Sequence, residues 1–326
     1  MPKFTVVGDL HCTPKNLDLC AQLFRMVEDL GNEAILLGDV FDTKEVIRGK
    51  ALNLVFDSLK ASKLKWNILV GNHDLFNLHT SENSLTALKM LPNVNLAESL
   101  LEDERNLVFL PYIHDLEVLK SHLKSIEGRE KKYLFGHLEL SDFDFGNGHI
   151  CTTGLLLDDL LGFKRVISGH FHKYQTRKNL TYLGTPFSHS FGETNQIKYI
   201  GVLDTDTDTF QLIQTPFPKH LTVQVDCTHS PPKTEISPQT LKLGGCENFY
   251  RVILAGPEAN INGLVKTGFE GYNIKWISNP TDQIDNVSVL EETSSNESQF
   301  TEWAKNIKKM DPKTIELGLS ILGSFK

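Results

Sequence analysis

Asp9 and His11 stand two residues apart, directly after the apolar run Phe4-Thr5-Val6-Val7-Gly8. At that spacing, on an extended or turning backbone, a carboxylate and an imidazole can aim at one cation. The same grammar recurs down the chain: Ala34-Ile35-Leu36-Leu37 ends in Gly38-Asp39, and Trp66-Asn67-Ile68-Leu69-Val70 ends in Gly71-Asn72-His73-Asp74. Later, Tyr133-Leu134-Phe135 ends in Gly136-His137, and Arg165-Val166-Ile167-Ser168 ends in Gly169-His170-Phe171-His172. A single buried histidine at a strand end is ordinarily a packing feature. An ordered set of this kind is not, because buried ionisable groups without metal or tight pairing are costly. Asp39 has two carboxylate oxygens and can bridge two ions, and Asn72 offers a neutral amide oxygen. Two divalent ions about 3.5–4 Å apart would polarise a phosphate, acidify a bridging water and stabilise a leaving oxygen. Mixed oxygen and imidazole ligation suits Mn, Fe or Zn better than an all-oxygen Mg site.

These residues need elements that deliver them to one place. The apolar runs read as buried strands. Between them lie helical patterns over 15–30 (Leu19, Leu23, Phe24, Val27, Leu30) and 46–61 (Val46, Leu52, Val55, Phe56, Leu59), the second broken by Gly49. Alternation of strand and helix predicts an α/β fold with parallel strands, whose strand ends at one edge converge on a crevice. Further helices are expected over 84–91 and 116–128. Strands near 180–184 and 197–203 suggest a second sheet closing the domain. After the proline-marked stretch 215–220, the alternating run 221–227, the breaker cluster Ser230-Pro231-Pro232-Lys233, and strand-like runs at 249–254 and 272–277 read as a small α+β module. Residues 257–267 offer a crossover helix weakened by Gly263. The tail holds a short amphipathic pattern around 298–309, with Phe300, Trp303, Ile307 and Met310 on one stripe. The domain reading is 1–218, 219–290 and a C-terminal tail, 291–326.

The chain has 326 residues, 40% hydrophobic and 23% charged, which suits a globular protein with a real core. No stretch approaches the roughly 20 apolar residues of a membrane span, and the N-terminus shows no signal-peptide pattern. No membrane association and a cytoplasmic location are expected. Cys12, Cys20, Cys151, Cys227 and Cys246 include no C-x-x-C pair, so reduced bystander thiols are expected, Cys12 beside the ligand pair included. The net charge of −8 counts against an autonomous nonspecific DNA binder. A partner subunit could supply basic surface, and bound cations would offset part of the acidic site.

The ordered motifs over 8–172 resemble those of the calcineurin-like metallophosphoesterases. The resemblance implies a four-layer α/β/β/α sandwich with a smaller α+β C-terminal capping domain. It implies Asp9, His11, Asp39 and His172 on a first metal, and Asp39, Asn72, His137 and His170 on a second. His73 would sit over the scissile phosphate and help protonate the leaving oxygen, with Asp74 orienting it through a hydrogen bond. The implied reaction is direct in-line attack by a metal-activated hydroxide.

The substrate stays open on these motifs alone. Gly38-Asp39-Val40-Phe41-Asp42-Thr43 and the run Tyr182-Leu183-Gly184-Thr185-Pro186-Phe187 through Phe191-Gly192-Glu193 resemble the SbcD-type nuclease branch. The short length resembles its bacteriophage members. That branch implies a DNA exonuclease or endonuclease subunit in repair or recombination, two Mn2+ ions (Mg2+, Fe2+ or Zn2+ as alternatives), and a coiled-coil SbcC-like ATPase partner docking on the tail, with possible homodimerisation. The alternatives are a small-molecule phosphodiesterase or phosphatase, or an inactive binding scaffold. Asp42 departs from the histidine usual there: it could orient a neighbour, pair with Lys44 or Arg48, or play no catalytic part. Lys44, Arg48, Lys173, Arg177 and Lys178 are candidates for DNA-backbone contacts. Asp144, His149, Asp158 and Asp159 read as loop or surface charges.

Overall fold

The computed structural model describes residues 3–44, 46–229, 247–264, 266 and 268–280. The breaker cluster at 230–233, Cys246, the 298–309 pattern and the tail 291–326 lie outside them. The chain runs β1 (Lys3–Val7), α1 (Leu17–Leu30), β2 (Glu33–Leu36), α2 (Gly49–Ala61), β3 (Trp66–Leu69), β4 (Val94–Ala97), β5 (Leu101–Glu102), β6 (Leu107–Leu110) and α3 (Leu116–Ser125). It continues with β7 (Tyr133–His137), β8 (Arg165–Gly169), β9 (Gln175–Arg177), β10 (Leu180–Tyr182), β11 (Tyr199–Asp204) and β12 (Thr209–Gln214). Then come β13 (His220–Asp226), β14 (Phe249–Gly256), α4 (Glu258–Asn262) and β15 (Asn273–Pro280).

Two six-stranded sheets form, in the orders β12-β11-β1-β2-β3-β4 and β5-β6-β7-β8-β10-β9. Strands β1 to β4 are parallel, as are β6, β7, β8 and β10. Side-chain alternation explains the layering. In β1 and β2, Phe4, Val6 and Ile35 point to the same core as Phe109, Phe135 and Ile167 of the other sheet. Their neighbours Val7, Ala34 and Leu36 point the opposite way, into a core shared with α1 and α2. On the second sheet, Val108, Leu134 and Val166 pack with Leu119 and Leu123 of α3. The result is the expected helix–sheet–sheet–helix sandwich. Helix α1 buries Cys20, Leu23, Phe24 and Val27 at helical spacing and stops at Gly31. Helix α3 starts where the Asp115 carboxylate accepts the N–H groups of Glu117 and Val118 at 2.9 and 3.1 Å.

Several expectations need correction. Gly49 does not interrupt a helix; it is the first residue of α2, where its weak helix propensity costs little. The 84–91 pattern yields only a short 3-10 turn, Thr86–Met90, because the chain must turn at once into β4. The strands near 180–184 and 197–203 do not share a sheet. β10 pairs with β8 in the second sheet, whereas β11 returns antiparallel to β1 in the first. The second sheet is founded on β5 and β6, which carry no polar terminal motif and do not stand out in the sequence. The runs at 221–227, 249–254 and 272–277 do form strands, in a three-stranded sheet β13-β14-β15, and the 257–267 segment gives the five-residue α4 ending at Gly263.

By contacts, the described residues fall into two compact units: 3–44, 46–223, 247–252 and 268–275 in one, and 224–229, 253–264, 266 and 276–280 in the other. The site described next belongs wholly to the first. Among the described residues no helix is long and apolar enough to cross a membrane.

Phe109 and Phe135, register partners on β6 and β7 of the second sheet and both essentially inaccessible, stack with centroids 5.5 Å apart and face the core shared with the first sheet. Phe135→Ala would open a cavity between the layers and is expected to cost about 3–5 kcal/mol of stability in urea unfolding. A loss under about 1 kcal/mol would show that the intersheet core tolerates repacking there.

Candidate metal centre

Each sequence-derived candidate sits at, or just past, the C-terminal end of a strand: Asp9 and His11 after β1, Asp39 after β2, Asn72 after β3, His137 closing β7, and His170 and His172 after β8. The sheets face each other, so their parallel strands deliver these ends to one edge. The connecting loops bend sharply. His11, Asp39 and His170 have φ of 42°, 47° and 89°, backbone that costs a residue with a side chain on the order of 1–3 kcal/mol. The glycines before the ligands answer to crowding. A Cβ on Gly71 would lie 2.2 Å from Asp39 Oδ1, and one on Gly169 would lie 2.3 Å from Asp9 Oδ1. The Gly-polar grammar thus records where one loop's backbone passes against another loop's carboxylate.

The structure brings all the expected ligand residues together. Asp9, His11 and His172 each offer one ligand atom within 4.8 Å of the others, as do Asp9, Asp39 and His137. His11 Nε2 and His172 Nε2 are 3.0 Å apart. Asn72 Oδ1 lies 2.9 Å from both His137 Nε2 and His170 Nδ1. Asp39 Oδ2 is 3.4 Å from His137 Nε2 and 3.8 Å from His11 Nε2. Their free oxygens aside, the carboxylates are fixed by main chain: His73 N–H donates to Asp39 Oδ1 at 2.7 Å, and His170 N–H to Asp9 Oδ2 at 2.9 Å. Beside these groups opens a cleft of about 380 Å3 lined by Asp39, Asn72, His73, Phe145, His170 and His172.

The electrostatics are those of a cation site. Burial works against charge on Asp39, but His137, His11 and His73 outweigh it and hold that carboxyl well below the usual range. Asp9 goes the other way: burial raises it, His137 counters, and nearby Asp39 raises it further. Burial likewise opposes charge on His137, yet Asp39 and Asp9 push it up to about 9. Burial drives His11 well down. Two buried carboxylates that cannot both be charged cheaply, ringed by imidazole nitrogens and an amide oxygen, make a donor set that fits divalent cations.

Asp74 does not orient His73. It is fully buried, and its carboxylate accepts N–H bonds from Val40 at 3.0 Å, Gly71 at 3.0 Å and Phe41 at 3.2 Å. A buried carboxylate is best satisfied by such fixed donors, so it braces the Asp39 and Asn72 loops instead. Burial, aided by Asp39, pushes its pKa up to about 7 despite those bonds. His73 is held by Asp42: its Nδ1 lies 2.8 Å from the Asp42 carbonyl oxygen. The Asp42 carboxylate approaches His11 Nδ1 to 3.5 Å without a hydrogen bond, so its open roles stay open.

Sequence reasoning gives no role to Glu193 or Lys198. Glu193 Oε1 lies 2.9 Å from His172 Nδ1, and its other oxygen is 2.8 Å from Lys198 Nζ. Burial resists charge on Glu193, but His172 and Lys198 hold it far below the carboxylate range. The Phe191-Gly192-Glu193 run is visible as a likeness; nothing in the sequence marks Lys198. His189, also near His11 with ring centroids 5.4 Å apart, is pushed by burial to about 4. Cys12 points into the core beside Ala51, away from ligation. The basic candidates that follow His172 are engaged elsewhere: Lys173 with Asp144 at 2.8 Å, Lys178 with Asp158 at 3.6 Å, and Arg177 over the Phe143 ring.

The model of the calcineurin-like phosphoesterases matches residues 2–174. The chain belongs to this family. Exonuclease subunit 1 of Enterobacteria phage T4 is 29% identical over 187 residues, 55% of this chain and 55% of that protein. The chain therefore spans about half the length of the curated relative it matches. Among solved structures, one described as a novel archaeal phosphodiesterase aligns with TM-score 0.36 and 17% identity, covering 65% of this chain and 99% of that one. A hypothetical protein from Thermus thermophilus aligns with TM-score 0.39 and 13% identity, covering 66% and 100%. Members of this family are phosphoesterases that use divalent metal, and the clustered carboxylates and imidazoles of this chain are groups that could hold one.

Glu193 fixes the tautomer and aim of His172, so Glu193→Gln is expected to weaken divalent-metal binding about 10- to 100-fold. Competition titration with a chromophoric chelator reads this directly. Unchanged affinity would show that His172 needs no such support.

Proposed function

We propose that the chain is a dinuclear-metal-dependent DNA nuclease, the nuclease subunit of an SbcC/SbcD-like repair or recombination complex. The observation that carries the phosphodiesterase part is the convergence of the strand-end donors on one open cleft. The DNA part is supported by the phage T4 relative, whose name is that of an exonuclease subunit. Asp9, His11, Asp39 and His172 would hold one cation, and Asp39, Asn72, His137 and His170 the other, Mn2+ being favoured by the mixed donors. When bound, such cations supply Lewis-acid polarisation of the phosphate and a water acidified toward neutral pH.

The chain's own chemistry centres on His73. Its Nδ1–H can donate to the Asp42 carbonyl, which fixes the ring at the cleft wall. With that nitrogen committed, Nε2 carries a proton only in the imidazolium form. That form stabilises charge gathering on the phosphoryl oxygens and gives its proton to the leaving oxygen. Asp74 acts at one remove, by bracing the loops that hold Asp39 and Asn72.

A small-molecule phosphodiesterase is the second reading. It is favoured by the net charge of −8 and by the internal pairing of Lys173, Arg177 and Lys178. Under the nuclease reading, an SbcC-like ATPase supplies the missing basic surface. We assign 1–218 as the catalytic domain, 219–290 as a capping domain, and 291–326 as the docking segment for that partner.

Chelator-treated protein is expected to leave linear DNA intact, and Mn2+ to restore degradation. Turnover of small diesters without any of DNA would favour the second reading. His73→Gln is expected to retain both metals while lowering kcat about 100- to 10,000-fold. Loss of metal from that variant would remove His73 from its assigned role. Truncation before residue 291 should preserve diester cleavage and abolish capture of an SbcC-like coiled-coil ATPase that the intact chain captures; retained capture would move the docking site elsewhere.

A further inference from the structure

A second cavity, about 630 Å3, adjoins the metal centre. Its walls come from the two loops that leave the same sheet edge. One is the continuation of Gly71-Asn72-His73-Asp74 through Leu75, Leu78 and His79; the other is Tyr112 to His114, after β6. The Tyr112 ring joins cavity and centre, its centroid 5.7 Å from that of His170 and 6.1 Å from that of His137. His79 and His114 rings lie 5.4 Å apart on the cavity wall, and both side chains are exposed.

We propose that this cavity receives a nucleobase of the strand whose phosphate lies at the metal centre, stacked on the rings of Tyr112, His79 and His114. The inference deepens the nuclease reading and rests on it. A phosphate held by the Asn72, His137 and His170 edge places its own nucleoside next to Tyr112. Three rings and the Leu75 and Leu78 side chains give a π-rich surface of the kind on which bases stack, with Thr80 and Ser81 as polar neighbours. The rim carboxylates are already committed: Glu98 to Lys89 and Asn83, and Asp115 to the first turn of α3. Stacking also supplies affinity that does not depend on neutralising phosphates, which suits an acidic chain with its nearby cations paired.

The test uses the full-length, Mn2+-loaded protein and its His79→Ala/His114→Ala variant on two single-stranded oligonucleotides, one with bases and one with an abasic run across the cleavage region. The variant is expected to show a KM at least about fivefold higher on the base-bearing strand, with metal affinity unchanged. On the abasic strand wild type and variant are expected to be alike, both near the variant's level. Equal KM on the base-bearing strand, or an equal loss on both strands, would overturn the base pocket while leaving the nuclease reading intact. Failure of the wild type to cleave either strand while hydrolysing a small diester would overturn both.

Discussion

Asp9 and Asp39 are carboxylates buried where two sheets meet, and the structure is organised around satisfying them. Asp9 stands on the first sheet, yet it takes the main-chain N–H of His170 from the second. His137, on the second sheet, faces the Leu37 carbonyl of the first at 2.8 Å. The strand ends are therefore laced across the intersheet gap by the same groups that would hold metal. Removing charge from this joint would relieve desolvation but also unlace the sheets. Left-handed backbone at His11, Asp39 and His170 belongs to the same compromise: the strain persists because main-chain bonds and packing around each loop over-determine it.

Support for the joint is layered outward. Asp74 gathers three N–H groups from the two loops flanking Asp39 and Asn72, and does so without a hydrogen bond to the His73 ring. Glu193, Lys198 and Thr185 do the equivalent for His172: Lys198 Nζ reaches the carboxylate of Glu193, the hydroxyl of Thr185 and the carbonyl of His172 itself. A buried lysine–glutamate pair is weak evidence for net stability, since desolvation offsets most of the attraction. Its value lies in holding Nδ1 of the His172 imidazole, whose other nitrogen faces His11.

How much of this is legible in the sequence follows from which interactions are local. Strand ends announce themselves because each candidate follows or closes its strand within four residues, and because Gly71 and Gly169 leave room for a carboxylate from elsewhere. The α/β class with parallel strands follows from apolar runs alternating with helical patterns, whereas the four-layer sandwich is legible only through the family resemblance. What escapes depends on partners distant in sequence. Glu193 and Lys198 acquire meaning only at hydrogen-bonding distance from His172. Nothing in the residues of β10 and β11 says that one extends the second sheet and the other returns to the first. The family resemblance implies a bond from Asp74 to His73, whereas that carboxylate turns inward toward loop N–H groups. Tyr112 gives no signal because it follows β6, a strand with no polar terminal motif.

The charge balance ties the site to its surroundings. A chain with net charge −8 approaches a polyanion unfavourably, and its cations beside the His172 loop neutralise Asp144 and Asp158 instead of phosphate. Bound cations offset charge only within the centre, because screening confines their field to about 8–10 Å at physiological salt. Lys15 and Arg48, which line a separate pocket of about 330 Å3 with Asp42 and Thr43, have no ion pair among the described residues. Both are open to meeting a backbone phosphate, and two such contacts give only a shallow salt dependence. If the proposed nuclease reading holds, affinity for a strand would then come largely from contact with its bases or from surface that another subunit brings. Either source leaves the metal centre free to act on the phosphate without having to gather the strand by charge alone.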